Sequence, residues 1–296
     1  MKCGFFRWVF AVLGLVYSLG GNAQTIQIQS ARAPELGKIS LDLYLSEKPD
    51  ASTVIYLPGC NGRDRVGSQY QDFHIEKIRE HWANPVNIVR VQVANDLTQG
   101  AENGVCFWGG VEDPRSKGRI ITLDAALKTV VVQNWVSRQP WYNGQMHLFG
   151  FSWGGLVGLW IAGDKMPSSS LKSVTLIWPV CIEGAAAPYG QVTLPTRIYA
   201  TENDPISEPN RCPGLFTGNR EWLELHLYPG NTHSWMTHPA QNAGATYWPN
   251  WKRTSYSFYN PDYAERTWSS WARWAKCLES KQSSECRVGV TPKPVP

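Results

Sequence analysis

The apolar positions of the chain fall into short segments of two kinds. Residues 25–29 and 39–45 alternate apolar and polar side chains, which is typical of strands exposed on one face near a sheet edge. Residues 53–57, Thr-Val-Ile-Tyr-Leu, instead form a short continuous apolar run, which is typical of a strand covered on both faces. Such buried strands are predicted at residues 53–57, 86–93, 146–149, 174–178, 196–200 and 223–228.

Segments with helical spacing separate these strands. Apolar side chains recur at helical intervals between residues 120 and 131, and residues 155–162 form a second apolar segment that follows a strand. A last helix is predicted over residues 261–278, with Pro261 near its first turn. Strands that alternate with helices predict an α/β fold, with a mostly parallel central sheet and helices on both faces.

The first 23 residues differ from the rest of the chain. The first seven residues include the basic Lys2 and Arg7, an apolar run follows over residues 8–19, and small residues precede and include Ala23. This pattern predicts a secretory signal peptide that is cleaved near Ala23, so that the mature protein is periplasmic or secreted. An uncleaved membrane anchor is the alternative, but the run is shorter than the roughly 20 apolar residues of a spanning helix.

Residues 24–296 show no internal repeat and no long linker, which predicts a single domain. The net charge of +4 is small, the 15 tryptophans are scattered along the chain, and the sequence has no run of Lys or Arg. A nucleic-acid partner is therefore not expected. No C-x-x-C or H-E-x-x-H motif occurs, so a metal site is not expected. Residues 279–296 form a polar, proline-rich tail, which is expected to fray apart from any tie at Cys286.

Cysteines are consistent with export. Of seven, Cys3 lies in the leader and six follow it. An even number in an exported chain favours disulfides, although buried free thiols are the alternative. We predict that neighbours in the chain order are bonded: Cys60 with Cys106, Cys181 with Cys212, and Cys277 with Cys286.

The segment Gly150-Phe151-Ser152-Trp153-Gly154 matches G-x-S-x-G between a predicted strand and a predicted helix. That context is what a nucleophile elbow requires, with Ser152 on a tight turn that exposes its hydroxyl. A glycine-rich turn without catalytic function is the alternative, and the flanking elements favour the nucleophile.

A serine nucleophile needs a histidine base, and that histidine is held by a carboxylate. Such sites have the chain order serine, acid, histidine. His233 follows a predicted late strand and is the candidate base, with His238 as its rival. Asp204 is preferred over Glu202 as the acid, because it lies deeper in the loop after the preceding strand.

Acyl chemistry also needs hydrogen-bond donors for the oxyanion, and two backbone N–H groups are candidates. One is that of Trp153, directly after the nucleophile, and the other is that of Cys60 in the Pro58-Gly59-Cys60 loop after the third strand. A purely structural turn is the alternative for that loop.

With these motifs the chain resembles the dienelactone hydrolase family of α/β hydrolases over roughly residues 35–280, including the segments 58–62, 150–155, 228–234 and 259–264. The resemblance implies an α/β-hydrolase fold and a cofactor-free esterase that acts on a small-molecule ester or lactone through Ser152, Asp204 and His233. Dienelactone hydrolases have a cysteine where this chain has Ser152, which argues against dienelactone itself as the substrate.

The chain departs from that family by an aromatic-rich insertion around residues 235–260. Its side chains could line a pocket, or they could pack the insertion onto the body of the protein. A non-catalytic carbohydrate-binding or aromatic-ligand-binding protein on the same fold is therefore a rival hypothesis, as is a serine acyltransferase or peptidase. The aromatic side chains are Trp235, Tyr247, Trp248, Trp251, Tyr256, Phe258 and Tyr259.

Overall fold

The computed structural model describes most of the chain beyond the leader. Its described residues are 23–60, 65–82, 85–92, 114–164, 166, 170–181, 190–217, 222–236, 244–248, 253–280, 283–286 and 293–294.

A nine-stranded sheet forms the centre of the molecule, with the strand order β1-β2-β4-β3-β5-β6-β7-β8-β11. β1 and β2, and likewise β2 and β4, pair antiparallel, and all other neighbours pair parallel. The strands are β1 Gln24–Gln29, β2 Lys38–Tyr44, β3 Ser52–Leu57, β4 Val86–Val91, β5 Met146–Phe151, β6 Ser173–Ile177, β7 Thr196–Thr201, β8 Leu223–Tyr228 and β11 Lys293–Pro294. The other two, β9 Gly244–Trp248 and β10 Arg253–Ser257, form a separate antiparallel hairpin.

In the described part of the chain, four α-helices cover the two faces of the sheet: α1 Arg65–Trp82, α2 Pro114–Val136, α3 Trp153–Ala162 and α4 Pro261–Glu279. Alternate side chains of β3 point into different cores. Ile55 and Leu57 pack with α2 and α3, whereas Val54 and Tyr56 pack with α1 and α4. The predicted α/β class, with helices on both faces of a mostly parallel sheet, is therefore confirmed.

The buried parallel strands agree with the sequence pattern, whereas α1, the hairpin and β11 were not predicted. The buried face of α1 includes Gln71 and His74 beside Ile75, Ile78 and Trp82, so polar residues interrupt its apolar periodicity. The expectation that the tail is frayed apart from a tie at Cys286 was wrong at β11, which pairs with the edge strand β8. This pairing rests on backbone groups and needs no apolar side chains.

The tryptophans of α4 form one buried helix face, as their spacing suggests. Trp268 and Trp271 lie in the core shared with α1, and Trp274 lies beneath the guanidinium of Arg197 at 4.5 Å. Asn260 caps this helix by accepting a hydrogen bond from the backbone N–H of Tyr263.

Two of the predicted disulfides are formed, Cys181–Cys212 and Cys277–Cys286. Cys60 is also disulfide-bonded. Its predicted partner, Cys106, lies outside the described residues, as does the leader apart from Ala23. Among the described helices, none is both long enough and apolar enough to cross a membrane.

Candidate active site

Ser152 lies on a sharp turn between β5 and α3. Its φ of 49° and ψ of −112° are a strained backbone conformation for a residue with a side chain. The turn is tight because backbone segments approach closely. A Cβ at Gly150 would lie 2.5 Å from the carbonyl oxygen of Gly154, and one at Gly154 would overlap the carbonyl oxygens of Leu57 and Pro58. Both glycines are therefore required by the space around the turn.

His233 lies in the loop after β8, and its ring faces the serine. The distance between Ser152 Oγ and His233 Nε2 is 3.0 Å, within hydrogen-bonding range. The backbone N–H of His233 donates to the carbonyl of Tyr256 in β10, which fixes the loop against the hairpin. The side chain of His233 is 7% exposed, so the ring is held with little contact to solvent.

Asp204 lies in the loop after β7 and completes the hydrogen-bonded row. Its Oδ2 is 2.8 Å from His233 Nδ1, and its Oδ1 accepts from the backbone N–H groups of Ile206 at 2.9 Å and Ser207 at 3.1 Å. Burial raises the pKa of Asp204, but the attraction of His233 in its protonated form and these hydrogen bonds outweigh burial and hold the pKa below its usual range. The carboxylate therefore stays ionised and acts only as an acceptor.

The rival residues behave differently. Glu202 has an exposed side chain, and its backbone N–H donates to the carbonyl of Tyr228. The structure thus brings Asp204, and not Glu202, to His233. His238 lies outside the described residues.

Two residues beside the triad were not predicted from the sequence. The hydroxyl of Ser207 lies 3.5 Å from His233 Nδ1, and the Ser207 carbonyl accepts from the backbone N–H of Cys181. Trp178 follows β6 with a φ of 37°, and its ring lies 6.1 Å from that of His233. A small residue soon after the acid and an aromatic residue directly after a buried strand are weak signals, because many loops contain them.

The aromatic hairpin is tied to the acid loop as well as to the histidine loop. Arg253 of β10 donates to the carbonyl of Pro205 at 2.6 Å and also pairs with Glu208. Ser255, on the same strand face, is buried, whereas Tyr247 and Phe258 are 58% and 45% exposed. One face of the insertion therefore packs onto the body, and the other presents aromatic rings to solvent.

No group of three or more His, Cys, Asp or Glu side chains in the described part of the chain could hold a metal ion. The chemistry that the site itself offers is that of a serine hydroxyl beside a histidine whose second nitrogen meets a carboxylate. That arrangement can convert a weak serine nucleophile into a reactive one.

Similarity to known proteins is found for the structure of the chain and not for its sequence. No family model matches the chain, and no curated protein matches it. An α/β hydrolase from a Medee basin deep-sea metagenome superposes with a TM-score of 0.50 at 13% identity, over 88% of this chain and 100% of the other. The chain has the α/β-hydrolase fold. Two further matches are a dienelactone hydrolase from Anabaena variabilis (TM-score 0.52, 15% identity, 86% and 97% covered) and an esterase from Rhizomucor miehei (0.57, 10%, 89% and 84%).

In the α/β-hydrolase fold the oxyanion donors come from the residue after the nucleophile and from the loop after the third strand. Trp153 is the first residue of α3, so its N–H has no partner within that helix. The loop after β3 lies against the serine, because a Cβ at Gly59 would be 3.7 Å from the Cβ of Ser152. Cys60, the second candidate donor, follows directly in that loop.

Proposed function

We propose that the protein is an exported serine hydrolase that cleaves carboxylic ester or lactone bonds through an acyl-enzyme on Ser152. The observation that carries this proposal is the row of two hydrogen-bonding contacts, 3.0 Å from Ser152 to His233 and 2.8 Å from His233 to Asp204. The α/β-hydrolase fold of an esterase and a dienelactone hydrolase adds support of a general kind, since a fold hosts many activities.

The first step follows from the protonation state of the histidine. The ionised Asp204 only accepts, so Nδ1 of a neutral His233 carries the proton and Nε2 faces Ser152 with a free electron pair. Nε2 takes the proton from Oγ as Oγ bonds to the substrate carbonyl carbon. The resulting oxyanion would be stabilised by the N–H groups of Trp153 and Cys60.

Collapse of this intermediate breaks the bond to the leaving alcohol, which takes the proton from Nε2, and an acyl-enzyme remains. Water then repeats the sequence: His233 removes its proton, the hydroxide oxygen bonds to the acyl carbon, and the acid departs as Ser152 recovers its proton. Each step moves protons only among serine, histidine, water and substrate. No cofactor is therefore part of the proposed reaction.

Export is part of the proposal, and it rests on the leader and the disulfides. A signal peptide up to Ala23 would leave the hydrolase domain, residues 24–296, in the periplasm or outside the cell. Disulfides such as Cys181–Cys212 persist in oxidising compartments and are rare in the cytosol.

The proposal is tested by hydrolysis of short aryl esters and lactones by the purified protein. Ser152→Ala should lose several orders of magnitude in kcat with an unchanged unfolding midpoint. Ser269→Ala is the matched control, because Ser269 lies on α4 and bonds only to the exposed Glu265. Turnover of every ester by Ser152→Ala at the wild-type rate would contradict the proposal.

A further inference from the structure

The buried imidazole of His74 contacts three of the segments that the proposed chemistry needs: the strand before the oxyanion loop, the strand before the nucleophile and the loop of His233. His74 lies on α1 and is 4% exposed. Its ring stacks flat on Phe151, the residue before the nucleophile, with centroids 3.9 Å apart and planes 6° apart. Its Nδ1 is 2.9 Å from the hydroxyl of Tyr56 on β3, and its Nε2 is 3.1 Å from the carbonyl oxygen of Met236, three residues beyond His233.

The direction of both hydrogen bonds can be deduced. A carbonyl oxygen only accepts, so Nε2 of His74 must carry a proton and donate to Met236. Burial lowers the pKa of His74 to about 3, so the ring is neutral and Nδ1 is an acceptor. Burial also raises the pKa of Tyr56, so the phenol keeps its proton and donates it to Nδ1. Tyr56 therefore donates to His74, and His74 donates to the carbonyl of Met236.

These contacts connect the segment that carries Ser152 with the loop that carries His233. The strand of Tyr56 continues into Leu57 and Pro58, whose carbonyls bound the nucleophile elbow. The loop of His233 is held on its other side by bonds from the hairpin and from the start of α4, where the backbone N–H of Asn260 donates to Trp235. His74 supplies the contact from α1, the layer that packs over the serine strand.

We propose that His74 is a positioning residue for acyl transfer, which holds the loop of His233 at a fixed distance from Ser152 through its bond to Met236. The inference rests on the proposed function, because His74 does not itself reach the reacting atoms. An apolar residue of the same shape could stack on Phe151, but it would leave the Met236 carbonyl buried without its donor. The loop would then shift to find another partner.

Two amide substitutions separate the two hydrogen bonds of the ring. In His74→Gln the terminal amide nitrogen can reach the place of Nε2 and donate to Met236, whereas in His74→Asn the shorter amide reaches only the place of Nδ1. We expect Asn to lower kcat on the order of 10- to 100-fold with KM unchanged, since small misplacements of catalytic groups have effects of that size. Gln should restore a large part of this loss.

Tyr56→Phe serves as the control for a purely structural role. It removes the hydroxyl that donates to Nδ1 but leaves the bond from Nε2 to Met236. We expect it to lower the unfolding midpoint while losing less kcat than His74→Asn. Glu76→Gln, on the exposed face of α1, should change neither quantity.

The experiment measures kcat, KM and the unfolding midpoint of all four variants, together with the rate at which each reacts with a fluorophosphonate. A slower reaction of His74→Asn than of His74→Gln at similar midpoints supports the inference. If His74→Asn and His74→Gln react with the fluorophosphonate at equal rates while the wild type is reactive, the positioning role is overturned and the proposed function stands. A folded wild type that neither reacts nor hydrolyses would overturn the proposed function, and the positioning role with it.

Discussion

Asp204→Asn is the change that probes the proposed triad most sharply, because it preserves the shape of the side chain while removing its charge and turning the atom that faces His233 from an acceptor into a donor. In the native site Oδ1 accepts two backbone N–H groups and Oδ2 accepts from His233 Nδ1. An asparagine must keep its oxygen toward the two N–H groups, so its NH2 group faces His233. Nδ1 must then accept, and the ring proton moves to Nε2, opposite Ser152.

A histidine with its proton on Nε2 cannot take the proton of the serine. Loss of the correct tautomer in a serine triad lowers kcat by about 10⁴-fold, which corresponds to about 5.5 kcal/mol of transition-state stabilisation. KM should change little, because Asp204 is 2% exposed and its side chain is therefore inaccessible to a substrate. We therefore expect almost the whole effect in kcat.

The assay is steady-state hydrolysis of an aryl ester, with urea unfolding of the same preparations to establish that the fold persists. Glu202→Gln is the matched control, since it makes the same change of a carboxylate to an amide in the same loop on an exposed side chain. An Asp204→Asn enzyme within tenfold of wild type would refute the tautomer argument. A large loss of kcat in Glu202→Gln instead would show that Glu202 is the carboxylate that acts with His233.

Three further predictions concern stability and the elbow. Removing the Cys181–Cys212 bond, which spans 31 positions, by paired alanines should lower the free energy of unfolding by about 3 to 4 kcal/mol in urea titrations; no loss would show that the cross-link does not constrain the unfolded chain. Burial raises the pKa of Glu279, but its hydrogen bonds with His147 and Ser52 and the charges of His147 and Lys276 together outweigh burial and hold the pKa below its usual value of 4.5, so the stabilisation from Glu279 is present above that pH and is lost as the pH falls through the lowered pKa. Glu279→Gln should therefore be less stable than wild type at pH 6, and the difference should shrink towards pH 3; a difference that grows on acidification would reverse the sign. Gly154→Ala should abolish hydrolysis, since its methyl group would overlap backbone carbonyls; an active variant with an unchanged unfolding midpoint would show that the turn can relax.

The sequence predicts the structure best around Ser152, where the apolar pattern of the flanking elements and the G-x-S-x-G motif require the same fold. The strand up to Phe151 is mostly apolar and fully buried, the turn at Ser152 is bracketed by glycines, and an apolar helix follows, so pattern and motif agree on one structure. The proximity of Ser152, Asp204 and His233 could likewise be predicted, because loops after parallel strands meet at one edge of the sheet.

Other features depend on contacts that no local pattern encodes. The choice between Asp204 and Glu202 is decided by which carboxylate turns inward to the N–H groups of Ile206 and Ser207. The helix α1 was missed because His74 occupies its buried face, and that histidine finds its partners on β3 and 162 positions away at Met236. Burial of a polar side chain becomes predictable only when its distant partners are known.

If His233 and Asp204 activate Ser152, a fluorophosphonate should label that serine covalently, and intact mass and peptide mass read the adduct. The mature protein should gain one adduct, on Ser152, which is absent in Ser152→Ala and forms much more slowly in His233→Ala. A folded protein that gains no adduct, or one labelled on another serine at an undiminished rate in both variants, would contradict this activation of Ser152.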